Sequence, residues 1–168
     1  MDDNHELVRK KLEADILRVF SGETYPGDAS FIDRRVSDLG EVHKVIVWVH
    51  RFSKLGIDGF HFDATNESTV ALIYASPIGS KWLLPRYMHD YVSRYDPEKY
   101  SIYPIMGQLD RSDAVPEKRD EFAAILTIEQ CRVIASFVEW ISRVSASKED
   151  FPFAGIRAFW ANFGNGCV

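Results

Sequence analysis

Hydrophobic positions recur at helical spacing along most of the chain. Over residues 4–20, Val8, Leu12, Ile16 and Phe20 stand four apart with Arg9, Lys10, Glu13 and Arg18 between them, so one face of a helix is apolar and the other charged. The pattern stops at Ser21-Gly22. Tyr25-Pro26-Gly27-Asp28 then reads as a tight turn, because proline presets one central residue and glycine permits the next. A second helix is expected over residues 39–52, where Val42, Val45, Ile46, Val49 and Phe52 share a stripe. The β-branched and aromatic run at 45–49 would also suit a buried strand, and helix is preferred.

Alternation at Phe60-His61-Phe62-Asp63 suits a short extended piece with both phenylalanines inward. Helical patterning returns over residues 66–74, breaks at Ser76-Pro77 and resumes over 79–95, where Pro85 predicts a kink or a boundary. Residues 96–126, with three prolines and the cluster Glu117-Lys118-Arg119-Asp120-Glu121, read as a long connection with at most one helical turn. Thr127-Ile128-Glu129-Gln130 matches a capping box, and Ile134, Phe137, Val138, Ile141 and Val144 form the stripe of the helix beyond it. A final helix over 153–163 ends at Gly164-Asn165-Gly166. With no internal repeat, the expectation is a mainly α, single compact multi-helix domain spanning residues 1–168, with at most a short extended segment near residues 59–63.

Composition narrows the classes. At 168 residues, 46% hydrophobic and 13% aromatic, the chain is too apolar to remain disordered and long enough for one core. Its net charge of −5 gives no long-range attraction to nucleic acid or an anionic membrane, so a partner selected by charge would be basic. The acidic start, MDDNHELVRKK, lacks the basic flank of a signal peptide, and no apolar run is long enough to span a bilayer. A cytoplasmic protein is expected. Cys131 sits in a helical pattern and Cys167 next to the end, outside a prenylation box, so two free thiols are expected rather than a disulfide.

Chemistry-bearing residues do not assemble into a motif. His43 and His50 are two helical turns apart, which puts their imidazoles about 10 Å apart and supplies no metal site. His61 with Asp63, and His89 with Asp90, are the pairs that could supply acid–base chemistry, though adjacent helical residues do not face one another. No G-x-S-x-G is present, and Pro77-Ile78-Gly79-Ser80-Lys81 lacks phosphate-loop spacing, so it reads as a helix start. Cys131 reads as a packed thiol, and Trp48, Trp82, Trp140 and Trp160 as core anchors of separate helices. Arg86 and Arg94 with Tyr87, Tyr91 and Tyr95 form too small a basic patch for nucleic acid, but arginine and tyrosine are common at protein interfaces.

Three features in order, the turn Tyr25-Pro26-Gly27-Asp28 after an N-terminal helix, Ala71-Leu72 leading to Leu84-Pro85-Arg86-Tyr87-Met88, and the capped helix from Thr127, resemble a bacterial domain family of unknown function. The resemblance covers most of residues 12–146 and departs from the family pattern around Ser76-Pro77-Ile78-Gly79. It implies no reaction, cofactor or catalytic residue.

The expected function is that of a non-catalytic cytosolic binding protein, with a bacterial immunity or inhibitor protein acting on a basic toxin domain as its concrete form. No cofactor, metal or catalytic residue is assigned. The expected partner contacts are Asp28, Arg86, Tyr87, His89 and Tyr91. The alternatives are a small hydrolytic or metal-dependent enzyme using histidine and aspartate, and a regulatory adaptor.

Overall fold

A computed structural model describes residues 3–62, 65–95, 102–110, 116–145 and 151–166, and for residues 3, 4, 66 and 116–118 the backbone alone. Among the described residues the fold is all-α. In order, the helices are α1 (Asp3–Phe20), α2 (Asp28–Phe31), α3 (Leu39–His50), α4 (Asn66–Tyr74), α5 (Pro77–Ser93), α6 (Tyr103–Asp110), α7 (Pro116–Ala124), α8 (Ile128–Val144) and α9 (Phe153–Gly164).

The helix starts follow from side-chain caps. Asp38, Thr65, Ser76 and Thr127 accept from the amides of Glu41, Ser68, Gly79 and Gln130, removing orphan donors at the starts of α3, α4, α5 and α8. At α8 the capping box is complete, since the Gln130 side chain also accepts from Thr127 N at 3.0 Å. The strand alternative at 45–49 is therefore excluded, and Val45, Trp48 and Val49 are buried on α3.

The architecture is centred on α5, which packs against α1, α2, α4, α6 and α7. The other main packing is α8 against α1 and α9. All four tryptophans are buried as core anchors. Of the stripe on α8, Ile134, Phe137, Val138 and Ile141 are buried, and Val144 is half-buried against the core.

Of three local expectations, one is overturned and two are narrowed. Residues 103–110 and 116–124 are helices rather than parts of a connection. Their signal was masked because α6 opens on Tyr103-Pro104 and α7 at Pro116, and proline is well tolerated in a first helical turn, where its missing N–H has no intrahelical partner to lose. Pro85 does not bound α5, which runs through it. At the next residue the Arg86 guanidinium donates to the Trp82 carbonyl at 2.6 Å, within the stretch where proline disturbs the ladder. Residues 59–62 form no strand, although Phe60 is buried and Phe62 half-buried as alternation predicts. The extended contact lies elsewhere, as an isolated antiparallel bridge between Ile32 and Ala75.

Candidate functional site

The expected contact residues divide sharply. Arg86, Tyr87, His89 and Tyr91 are all buried on α5, which corrects their placement on a partner-facing surface. Each is held by interior partners. Arg86 donates to the carbonyls of Trp82 and Leu55 and stacks 4.0 Å over the Trp82 ring. Burial pulls its guanidinium down to about 10, yet guanidinium keeps its proton at neutral pH. The Tyr87 hydroxyl donates to the Ser68 carbonyl, and its ring meets Trp48, Phe60 and Phe62. Tyr91 packs on Tyr95, Phe137 and Trp140, and burial pushes its phenol up to about 12. His89 Nε2 lies 3.7 Å from a Glu13 oxygen.

Only Asp28 of the five is exposed, with its side chain half in solvent. It opens α2, where Gly27 takes the left-handed φ of 83° that the turn requires. The Asp28 Oδ1 atom accepts from the Tyr25 hydroxyl at 2.6 Å and lies 2.7 Å from His50 Nε2 at the end of α3. These two bonds hold the Asp28 carboxyl below its usual range, the tyrosine contributing most. Burial and the same carboxylate push the Tyr25 phenol well up. A carboxylate that fixes a histidine tautomer is one element of acid–base chemistry.

The remaining histidines do not converge. His43 lies on a 350 Å³ groove with Lys44, Val47, Trp48, Arg51, Thr65 and Glu67. His61 is exposed, and its Nδ1 lies 3.5 Å from Oδ1 of buried Asp90. Asp90 also accepts from the Phe62 amide and from Arg94. Asp90 therefore belongs with His61 rather than with its neighbour His89, and Asp63 lies outside the described residues. Cys131 is buried, and its thiol is pushed up to about 11, the packed-thiol reading. Cys167 lies outside the described residues. Among the described residues no group of three or more histidine, cysteine or carboxylate side chains is placed to hold a metal.

Sequence reasoning missed the groove beside Asp28. The residues following it, Ala29 and Ser30, line a concavity of about 680 Å³ together with Ile32, Asp33, Arg34, Arg35, Ser76, Pro77, Ile78, Glu121, Ala124 and Ile125. Its walls are fixed by backbone bonds from Asp33 N to Tyr74 O and from Ser76 N to Phe31 O, at 2.8 and 2.7 Å. The Ser76 hydroxyl also donates to Ser30 O at 2.5 Å. Gly79 allows this closeness, because a Cβ there would stand 2.3 Å from the Phe31 carbonyl oxygen. Ile78 and Ile125 remain 52% and 37% exposed in the groove. Its charged border is ordered: buried Asp33 accepts from Arg35 Nε at 2.9 Å, and Arg35 reaches Glu121 at 2.9 Å, with Arg34 exposed beside them. The available signal was Ile78, an apolar residue in the first turn of a helix.

Comparison with known proteins adds no relative. No family model, curated protein or solved structure matches the chain. The arrangement must therefore be interpreted from its own chemistry. An open apolar strip bordered by oriented charges of both signs can take up another protein's side chains. Among the described residues no helix is long and apolar enough to cross a membrane.

Proposed function

We propose that this chain is a non-catalytic binding protein that holds a protein partner in the groove formed by α2, the start of α5 and α7. The observation that carries this reading is the exposed pair Ile78 and Ile125 within a 680 Å³ groove whose border is the Asp33–Arg35–Glu121 ion-pair chain. An apolar centre with a polar rim is the usual anatomy of a protein interface. Asp28, next in sequence to the groove residue Ala29, adds a half-exposed carboxylate, and with the net charge of −5 it favours a basic contact surface on the partner. An immunity or inhibitor protein covering a basic toxin domain in the cytoplasm is the concrete form of this reading.

The test is quantitative co-purification of the tagged chain from its native cells, with the double substitution Ile78→Asp and Ile125→Asp in parallel. Both side chains are already partly in water, so circular dichroism and melting of the variant should stay near wild type. A stoichiometric partner lost with the variant is the expected result, and co-expression should relieve the partner's toxicity. An adaptor would give capture without toxicity. Equal recovery with both chains would remove the groove from the interface. The enzyme reading is favoured by one observation, the Asp28–His50 contact of 2.7 Å. A partner that binds normally when His50 is replaced by Gln, combined with a hydrolytic activity lost in that variant, would favour it instead.

A further inference from the structure

A second concavity, of about 450 Å³, lies where α8 packs between α1 and α9. Its volume falls within the range of small-molecule sites, about 300–1,000 Å³. The apolar floor comes from Leu12 of α1, Ala135 and Trp140 of α8 and Ala161 of α9. The two alanines withhold side-chain volume where larger residues would fill the space between the helices.

Charge is distributed unevenly around this floor. Arg143 donates through Nε at 3.0 Å and through Nη2 to Oε1 of Glu139, while Arg157 donates through Nη1 to Oε2 of the same carboxylate. Two guanidiniums thus share one carboxylate. Each guanidinium carries five donors, so the pair has more donors than Glu139 has oxygens to receive them. Lys11 also lines the groove, whereas its other carboxylate, Asp15, is already engaged by Arg18 at 3.1 Å. The result is a local cationic excess over an apolar floor, on a chain whose net charge is −5. Long-range attraction of anions is therefore weak, and recognition must come from the groove itself.

We propose that this groove binds a small amphipathic carboxylate. The apolar body lies on Leu12, Ala135, Trp140 and Ala161, and the carboxylate accepts from Arg143 and Arg157, matching the planar fork of a guanidinium. This site is separate from the partner-binding groove, with which it shares no lining residue, so either assignment can fail without the other.

The test titrates the full chain with decanoate and with decanamide, which has the same alkyl chain without the charge, using calorimetry and amide–methyl NMR. One saturable site for decanoate is expected, with shifts at Ala135 and Ala161 and with decanamide at least tenfold weaker. In a variant carrying Arg143→Gln and Arg157→Gln the two ligands should bind alike. Both side chains are more than half exposed, so folding should survive. Should that variant unfold, Ala161→Leu, which fills the floor and leaves both arginines, should abolish decanoate binding. Equal affinity for the two ligands in the wild-type chain, shifts confined to another surface, or no saturable binding up to millimolar decanoate would each overturn the proposal.

Discussion

Helices α5 and α8 have the same length, 17 residues each, yet they meet the solvent differently. α8 turns one stripe inward and leaves Ser136 and Arg143 exposed. α5 is buried without a break over residues 82–92, although Arg86, His89 and Asp90 lie in that stretch. A two-faced helix can be read from periodicity alone. A helix enclosed on all sides cannot, when its polar residues find partners contributed by distant parts of the chain. Arg86 reaches the Leu55 carbonyl, Tyr87 the Ser68 carbonyl, and Asp90 the Phe62 amide.

The most direct way to break this contrast is to remove the α5 rings. Tyr87→Ala and Tyr91→Ala should each cost about 3–5 kcal/mol by urea unfolding, as for other buried aromatics. The two rings join different clusters, Tyr87 with Trp48 and Phe60 and Tyr91 with Tyr95 and Trp140, so each substitution opens a separate part of the core. Ser136→Ala on the exposed face of α8 is the control, expected within about 0.5 kcal/mol of wild type. Unchanged unfolding in the tyrosine variants would return those rings to the surface.

A smaller effect tests how α5 is seated. Gly79→Ala should destabilise by about 1–3 kcal/mol, because its methyl group would meet the Phe31 backbone rather than a movable side chain. Gly107→Ala on α6 meets nothing within 4 Å and should instead stabilise by about 0.5–1 kcal/mol. Thermal melts of the pair decide the matter, and a stabilised Gly79→Ala would mean that α2 does not press on α5.

Next in size are the caps. Thr127→Ala at α8 and Ser76→Ala at α5 each remove a bond to an orphan amide, worth about 0.5–2 kcal/mol. Ser76 also donates to Ser30 O across 46 residues, so it should be the costlier loss of the two. Equal losses by chemical denaturation would show that the Ser76 hydroxyl contributes only its cap, as the Thr127 hydroxyl does.

These cases explain what was legible. The capping box at Thr127 and the stripe from Ile134 to Ile141 involve neighbours three or four residues apart, and the sequence displays them directly. The Asp28–His50 contact, the Ile32–Ala75 bridge and the groove at Ile78 and Ile125 join segments whose separation carries no periodic signal. Arg86, Tyr87 and His89 resembled surface residues because their type was visible and their neighbours were not. Asp28 was the one expected contact that a turn, rather than an enclosed helix, keeps at the surface.

His89 supplies the finest test of the enclosed helix. Its imidazole faces Glu13, with Asp58, Asp90 and Arg94 also acting on it, and burial outweighs the carboxylates to hold it below its ordinary value of 6.5. Above that value the ring is neutral in both folded and unfolded chains, and this contribution to stability is fully present. As pH falls below 6.5 the unfolded chain takes up a proton that the folded chain refuses, so stability declines until the lower folded-state value is passed. Urea unfolding followed from pH 7.5 to 5 should therefore show an acid-side loss that is smaller in His89→Gln than in the wild-type chain. Direct titration of the ring by NMR gives the sign independently. A folded-state value above 6.5 would mean that Glu13 governs the site, and that the interior around α5 is wetter than its burial implies.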